Sequence, residues 1–449
     1  MAHAPDLASL EDRTPSGIAG AFSRAIRAGD LLPGDRLPTV RAVAAELGVS
    51  PATVSAAWQA LRRTGAVVSR GRAGTYVHDI PTPWLSPRQR ELVGAGPDGL
   101  RLDLSRGTPD PQLLPSLAPA LQRVSQRAGT LTYQDEPVLP ELRTVLAASW
   151  PYAAEALTVV DGATDGLTRA LEQIVQYGDR VVLESPSFPP FFDLVEALGG
   201  EIVPVELDDR GIRPDALRKA LASRPVAVVL QPRAHNPTGV AMDATRVGQL
   251  ARVLQRAPHG VPWVIEDDHS AGISTSPDVT LASLLPEKVV HIRSYSKSHG
   301  PDLRIAAMSG PAELIDRIVA RRMLGPAWTS RMVQTILLDL LTSSQSLDEV
   351  GEARRQYFAR QRTIVTELAA HGIDMPPPDG INLWLAVRDE RAALVHLSAS
   401  GIRAAGGTPF LAGDATTPGE AFVRVTTGLV SPDDAADVAA AIAEAVVAV

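Results

Sequence analysis

The chain has 449 residues, of which 45% are hydrophobic and 21% charged, a composition that supports large buried cores and excludes extensive disorder. Its length predicts more than one domain. The absence of cysteine excludes disulfides, thiolate metal sites and cysteine nucleophiles, and we expect no metal. Because the first twelve residues lack a basic segment followed by an apolar run, and no apolar stretch approaches membrane-spanning length, we expect a soluble cytoplasmic protein without a membrane partner.

The net charge of -8 is unevenly distributed along the chain. Residues 13–78 carry nine arginines against only Asp30, Asp35 and Glu46, which gives this segment a net charge of +6. The remaining residues are strongly acidic. A small basic module is therefore joined to a large acidic body, and a basic module of this kind suits a polyanionic partner such as nucleic acid.

The basic segment predicts three helices followed by a hairpin. Apolar residues at helical spacing favour a helix over residues 16–28, and Thr39 can cap a second helix that ends at Leu47. After a turn at Gly48, Ser50 can cap a third helix with proline at its first position. Helix, glycine-containing turn and helix form the helix-turn-helix pattern. Residues 67–69 and 75–77 then flank a glycine-rich hairpin tip.

The third helix predicts one packed face and one open face. Val54, Trp58 and Leu61 share the face that would pack, whereas Thr53 and Ser55 lie on faces that could meet a DNA groove. A small helical domain with a solvated charged face fits the same pattern. The pattern alone leaves both interpretations open.

A longer motif in the same segment resembles a known DNA-binding family. Leu-Pro-Gly-Asp-Arg-Leu-Pro-Thr-Val-Arg-Ala-Val-Ala-Ala-Glu-Leu-Gly-Val-Ser over residues 32–50, together with the hairpin, is similar to the winged helix-turn-helix of the GntR family across residues 12–78. The resemblance implies binding to a double-stranded DNA operator. It implies that DNA is contacted by residues before and at the start of the third helix and by arginines of the wing, namely Arg41, Ser50, Thr53, Ser55, Arg70 and Arg72.

Residues 79–100 are rich in proline, glycine and charge and are expected to form an interdomain linker. Beyond them, continuous apolar runs at residues 180–184, 226–230, 263–266 and 289–293 alternate with helical segments, which predicts a parallel sheet covered on both faces. Ligands of such sheets bind beyond the carboxyl ends of the strands. The segments that follow these four ends contain Phe188, Asn236, Asp267 and Lys297.

An aromatic ring, an amide, a carboxylate and an amine at one sheet edge are what pyridoxal 5'-phosphate (PLP) requires. Lys297, in Ser-Tyr-Ser-Lys-Ser, is predicted to form a Schiff base with PLP. The carboxylate of Asp267 can keep the ring nitrogen protonated, which makes the ring an electron sink. Asn236 can donate to the ring hydroxyl oxygen, and Phe188 can stack on the ring.

The phosphate of this cofactor needs its own site. Free amides near Ala163 and Thr164, at the start of an amphipathic helix, form an anion site, to which Arg304 can add charge and Ser294 or Ser296 a hydroxyl donor. Each feature alone is more often a surface charge, a cap or a turn than part of a site. The chain has only three lysines, however, and one lies in the predicted site, so the joint pattern favours function.

From residue 101 to the end, the chain is similar to fold-type I aminotransferases, through Ser-x-Ser-Lys, Asn-Pro-Thr-Gly and the aspartate at the strand end. With its GntR-like segment the whole chain resembles the MocR-type regulators, in particular their PtsJ-like branch. The resemblance implies an α/β multidomain protein with a mostly parallel sheet covered by helices, a large subdomain at about 130–325 and a small C-terminal α+β subdomain at about 340–449.

The same resemblance assigns three further residues. Tyr133 matches a tyrosine that reaches the phosphate of the partner subunit, which implies a homodimer, and Arg424 matches an arginine that pairs with the carboxylate of an amino-acid ligand. His269 is a cofactor-binding candidate where most relatives have a tyrosine beside the ring hydroxyl. This departure argues against efficient transamination.

Two functions are compatible with the sequence. The first is a transcriptional regulator that uses PLP, or its aldimine with an amine ligand, as effector. The PtsJ-like resemblance implies that such a regulator controls vitamin B6 metabolism. Such a regulator would have little or no physiological transaminase activity. The alternative is a PLP-dependent aminotransferase acting on an amino acid and a 2-oxo acid. Both need the same cofactor residues, so only the basic module separates them.

Overall fold

A computed structural model describes residues 10, 12–63, 65–69, 74–78, 85–93, 100–127, 132–412 and 421–448. It divides the chain into two compact units, residues 1–86 and residues 87–449. The hairpin tip with Arg70 and Arg72, and much of the predicted linker, lie outside the described residues.

The first unit contains the predicted helices and hairpin: α1 (Pro15–Ala28), α2 (Val40–Leu47), α3 (Pro51–Arg63), β1 (Val67–Ser69) and β2 (Thr75–Val77). Thr39 caps α2 by accepting a hydrogen bond from the amide of Ala42 at 3.2 Å, and Ser50 accepts one from the amide of Thr53 at 3.1 Å. These contacts stabilise helix starts whose first amides lack partners within the helix.

The core of the first unit forms on one face of α3. Val54, Trp58 and Leu61 are buried, whereas Thr53 and Ser55 are half-buried. The Trp58 ring contacts the Phe22 ring of α1 edge to face, with 4.6 Å between centroids. The predicted division of α3 into a packed and an open face is therefore confirmed.

The second unit alternates helices and strands. Its helices are α4 (Pro87–Val93), α5 (Ala118–Arg127), α6 (Pro140–Ala148), α7 (Ala163–Ile174), α8 (Pro189–Ala197), α9 (Pro214–Leu221), α10 (Ala244–Gln255), α11 (Ala312–Met323), α12 (Arg331–Thr342), α13 (Ser344–Ala370), α14 (Glu390–Ala399) and α15 (Ala435–Val447). Its strands are β3 (Leu102–Asp103), β4 (Ala156–Val160), β5 (Arg180–Ser185), β6 (Glu201–Asp208), β7 (Gly211–Ile212), β8 (Ala227–Leu230), β9 (Trp263–Asp268), β10 (Val289–Ser294), β11 (Ala306–Gly310), β12 (Leu383–Val387), β13 (Ile402–Arg403), β14 (Ala405–Gly406) and β15 (Ala421–Val425).

The large sheet has the strand order β4-β11-β10-β9-β8-β5-β6-β7. Strands β10, β9, β8, β5 and β6 are parallel, while β11 runs antiparallel to both its neighbours. Alternate residues of one strand enter different cores: Val181 and Leu183 pack on the side of α7, α8 and α11, and Val182 on the side of α9 and α10. The predicted mostly parallel sheet covered by helices is confirmed.

A smaller sheet, β12-β15-β14, lies near the end of the chain and is antiparallel. Its core includes residues of α13, α14 and α15, and also Leu104 from the start of the unit. Strand β3 pairs in parallel with β13. The segment that begins the second unit therefore packs with its C-terminal part.

Part of the segment that was predicted to be a linker, residues 87–93, is helical in the structure. These residues form α4, and Arg88 of α4 pairs with Asp193 at 2.8 Å and with Glu196 at 2.9 Å on α8. The Arg88 guanidinium also lies 5.2 Å from the centroid of the Phe192 ring. Composition could not show this because both partners lie about a hundred residues further along the chain.

Candidate functional site

Four neighbouring strands of the large sheet end at the predicted site. Strands β10, β9, β8 and β5 are adjacent and parallel, so their carboxyl ends lie at one edge. Asp267 lies within the end of β9, and Lys297, Asn236 and Phe188 follow β10, β8 and β5. The topology thus brings together the segments that the sequence singled out.

Asp267 is a buried carboxylate with one free oxygen. Its side chain accepts a hydrogen bond from Nε2 of Gln231 at Oδ2 (2.8 Å), whereas Oδ1 is buried and has no partner among the described residues. Burial, with the nearby carboxylates of Asp268 and Glu184, raises the pKa of Asp267 to about 7 against the opposing Gln231 hydrogen bond. A cationic N–H donor at Oδ1 would satisfy this carboxylate.

Gln231 holds two predicted cofactor residues together. Its side chain bonds Asp267 and also accepts, at Oε1, a hydrogen bond from the backbone amide of Asn236 at 2.8 Å. The backbone amide of Gln231 donates to buried Glu184 at 2.8 Å. Gln231 was not among the site residues predicted from the sequence. The available signal was a polar residue directly after the buried strand β8.

Lys297 is half-buried, and its Nζ donates to the carbonyl oxygen of Gly107. Burial of the amine, followed by the nearby positive charge of Arg424, lowers the pKa of Lys297 to about 8, although Asp267 opposes this shift. An amine with this pKa is partly neutral near physiological pH, and a neutral amine is the form that attacks a carbonyl carbon.

Arg424, on β15, lies beside this amine. Its Nη1 donates to Oδ1 of Asn236 at 3.2 Å, and its Nη2 donates to the carbonyl oxygen of Ser105. The guanidinium lies 4.9 Å from the centroid of the Phe410 ring, and burial lowers the pKa of Arg424 to about 10. The structure therefore brings Arg424, Asn236 and Lys297 together, as the resemblance implied.

His269 has hydrogen bonds at both ring nitrogens. Nε2 lies 2.9 Å from the carbonyl oxygen of Ala234, and Nδ1 lies 2.9 Å from Oγ of Ser270. Burial, followed by the charge of Lys297, lowers the pKa of His269 to about 4. The ring is neutral at physiological pH, with Nε2 as donor and Nδ1 as acceptor.

The start of α7 and Arg304, both predicted to bind the phosphate, lie close together in the structure. Gly162 precedes the helix with φ of 103°, and a Cβ at this position would lie 3.3 Å from the guanidinium carbon of Arg304. Ala163 and Thr164 supply the first helical amides. We call residues 294–299, which begin with the last residue of β10 and include Lys297, the lysine loop. At its start, Oγ of Ser294 accepts a hydrogen bond from the backbone amide of Ser296 at 3.3 Å.

Two aromatic candidates differ in exposure. Phe188 is half-buried and meets Phe191 edge to face, with 5.4 Å between ring centroids. Tyr133 is 81% exposed, and the centroid of its ring lies 6.2 Å from that of Trp328. Stacking of Phe188 on a cofactor and a contact of Tyr133 with a partner subunit both stay predictions.

The residues predicted to contact DNA differ in whether their side chains already have hydrogen-bond partners within the first unit. Arg41 is exposed on α2. Oγ of Ser50, however, is already bonded to the amide and lies 2.8 Å from the hydroxyl of Thr53. Ser50 therefore has a structural role as a helix cap, whatever it contributes to DNA contact.

The residues present fit PLP. The unpartnered buried oxygen of Asp267 suits a protonated ring nitrogen, and the glycine at position 162 lets the first amides of α7 and the Arg304 side chain approach an anion together. The amine of Lys297 supplies the nucleophile.

Comparisons with known proteins match both units. Residues 101–442 match the aminotransferase class I and II family, and residues 15–77 match the GntR family of bacterial regulatory proteins. The vitamin B6 salvage pathway transcriptional repressor PtsJ of Salmonella typhimurium is 36% identical over 381 residues, covering 84% of this chain and 86% of that protein. The transcriptional regulator TauR of Rhodobacter capsulatus is 28% identical, covering 84% and 85%.

Solved structures show the same fold. The α-aminoadipate aminotransferase LysN of Thermus thermophilus, solved with N-(5'-phosphopyridoxyl)-L-leucine, matches with a TM-score of 0.70 at 21% identity, covering 80% of this chain and 94% of that one. None of the helices in the described residues combines the length and hydropathy of a membrane span.

Proposed function

Because the chain belongs to the aminotransferase class I and II family and joins that domain to a GntR-type DNA-binding domain, we propose that it is a transcriptional regulator with PLP as its effector. The observation that carries the proposal is the unpartnered, buried oxygen of Asp267 near the amine of Lys297, in a chain that also matches the GntR family of DNA-binding regulators. The likeness to PtsJ supports control of vitamin B6 metabolism. The proposal includes a cytoplasmic location, where a bacterial regulator meets its operator.

The cofactor residues divide the binding of PLP among them. Asp267 holds the ring nitrogen, Asn236 the ring hydroxyl, and the start of α7 with Arg304 the phosphate, while Lys297 is the covalent attachment point. PLP, when bound, supplies an aldehyde that reacts with amines. Since His269 already bonds Ala234 and Ser270, its ring orients the segment after β9 and is poorly placed to relay protons.

Arg424 can transmit the binding of a carboxylate-bearing amine. Its guanidinium and the Lys297 amine bond the carbonyl oxygens of Ser105 and Gly107 on one short segment. A ligand carboxylate that pairs with both Nη atoms of Arg424 would compete with the Ser105 carbonyl. Because β3, directly before this segment, pairs with β13 of the C-terminal part, such competition would bias that part's position, provided that the ligand binds the two arrangements unequally.

The proposed regulator is a homodimer with two-fold symmetry. Homodimerisation suits paired DNA half-sites, and the exposure of Tyr133 supports its assignment to a partner subunit's phosphate. Arg41, Thr53 and Ser55, with Arg70 and Arg72 of the wing, are the proposed contacts to DNA.

The test measures operator affinity of the full-length protein with and without saturating PLP, after mapping its bound genomic DNA. Lys297→Ala should lose covalent PLP and the PLP response, whereas Lys288→Ala should keep both, because Lys288 packs over the Trp263 ring at 4.8 Å. The regulatory role would be refuted if the operator dissociation constant did not change on addition of PLP or of any amine tested.

An aminotransferase is the second candidate, since Lys297, Asp267 and Arg424 would serve an enzyme equally. Turnover of amino acids with 2-oxo acids at ordinary enzyme rates, about 1 s⁻¹ or faster, would favour it. Operator binding that responds to PLP without such turnover would favour the regulator.

A further inference from the structure

A second cavity lies next to the lysine loop. It has a volume of about 610 Å³, and its walls include Ser298 and His299 but none of the proposed cofactor residues. This volume is within the range of small-molecule sites. We name it the Arg354 cavity, after the arginine of α13 in its wall.

Ion pairs between arginines and aspartates form one wall of the Arg354 cavity. Arg233 makes two hydrogen bonds to buried Asp268, at 2.9 and 2.7 Å. Asp278 then lies between two guanidiniums, 3.0 Å from Nη2 of Arg233 and 2.9 Å from Nη2 of Arg293. These two arginines and two aspartates offset one another, so the wall they form is close to neutral.

Arg354 adds a positive charge to that wall. Among the described residues, its guanidinium donates through Nε to the carbonyl oxygen of Gly272 at 3.1 Å, which leaves its Nη donors available to a ligand. Burial lowers the pKa of His299 to about 4, so this ring adds no charge. The cavity also has an aliphatic side formed by Leu341, Leu347 and Val350, of which Leu347 and Val350 share a face of α13 with Arg354.

We propose that the Arg354 cavity binds a small carboxylate-bearing metabolite, with its carboxylate on Arg354 and its carbon chain on the aliphatic side. A single carboxylate suits one available guanidinium. A dianionic phosphate suits the site less well because Asp278, with 37% of its side chain exposed, would repel the second charge.

The Arg354 cavity is coupled to the cofactor lysine by direct contact. A Cβ on Gly272 would lie 2.3 Å from Cβ of Ser298, so Gly272 packs closely against the residue next to Lys297. Ser298 in turn bonds Nδ1 of His299 at 2.8 Å. A ligand that shifts Gly272 would therefore act directly on the lysine loop.

Calorimetric titration of the full-length, PLP-loaded protein with sodium butyrate, a monocarboxylate with an aliphatic chain, tests the site, with sodium chloride at equal ionic strength as the blank. Arg354→Gln should weaken butyrate binding by about tenfold or more, since a charge-assisted contact is lost. Arg355→Gln is the matched control, because neighbouring Arg355 bonds Glu352 at 3.0 Å and is not in the cavity wall.

A second pair of variants does not depend on the Gly272 contact. Ser276→Asp adds a carboxylate to the wall and should also weaken butyrate binding by about tenfold, whereas Ser276→Asn should not. Butyrate should change the PLP dissociation constant of the wild type by at least about threefold, through linkage.

No saturable butyrate binding, or equal binding by wild type, Arg354→Gln and Ser276→Asp, would overturn the site. Saturable binding that leaves PLP affinity unchanged would overturn its coupling to the lysine loop. Because the titration contains no DNA, these outcomes are independent of whether the protein regulates transcription.

Discussion

Replacing Asp267 with Asn should stabilise the protein freed of PLP while weakening PLP binding. The pKa of this buried carboxyl rises from 3.8 to about 7. The unfolded chain therefore releases the proton near pH 4, whereas the folded chain keeps it until about pH 7. The contribution of Asp267 to the free energy of unfolding is thus full below pH 4 and falls as the pH rises to 7.

The size of this effect follows from the shift. At about 1.4 kcal/mol per pKa unit, the ionised carboxylate costs about 4 kcal/mol above pH 7. At pH 5 the corresponding cost is about 2 kcal/mol. Urea unfolding of PLP-free wild type and Asp267→Asn should therefore show curves that separate by about 2 kcal/mol more at pH 8 than at pH 5, with the variant the more stable.

The neighbouring carboxylate provides a control of opposite sign. Burial alone would raise the pKa of Asp268, but the hydrogen bonds and charge of Arg233 outweigh it and lower that pKa. Asp268→Asn removes the buried carboxylate that Arg233 bonds twice and leaves it with the more exposed Asp278 at 3.0 Å, so it should destabilise the fold by about 3 kcal/mol. Asp267→Asn should also weaken PLP binding by about tenfold to a hundredfold, through a lost charge-assisted bond. A constant separation of the Asp267→Asn and wild-type curves from pH 5 to pH 8 would refute the reasoning.

Three further predictions follow from the same contacts. Gln231→Leu removes the amide that bonds both Asp267 and Asn236, so PLP affinity by equilibrium dialysis should fall by about tenfold or more; an unchanged affinity would contradict this positioning role. The rate of PLP capture should rise with pH around pH 8, where Lys297 becomes neutral, and a stopped-flow profile flat from pH 7 to 9 would exclude it. Arg41→Gln should weaken operator binding and reduce its salt dependence by about one counterion, with an unaltered salt slope as the contrary result.

Local sequence signals were sufficient for most of the framework. Thr39 and Ser50 marked helix starts because a hydroxyl next to free amides acts within three residues. The apolar runs marked strands β5, β8, β9 and β10 because a strand covered on both faces must be apolar at successive positions. The parallel order of these strands then placed Asp267 and Lys297 at one edge, so the main cofactor candidates could be predicted from sequence.

The tertiary structure alone decided which partners these residues have. Arg424 bonds Asn236 across 188 residues of sequence, and Gln231 bonds Asp267 across 36. Arg88 docks α4 onto α8, within a segment whose composition predicted a linker. Such contacts depend on how the chain closes over the sheet, because a hydrogen bond or ion pair is defined by distance in space. Sequence thus determined the chemical groups at the site, and packing determined their protonation and their partners.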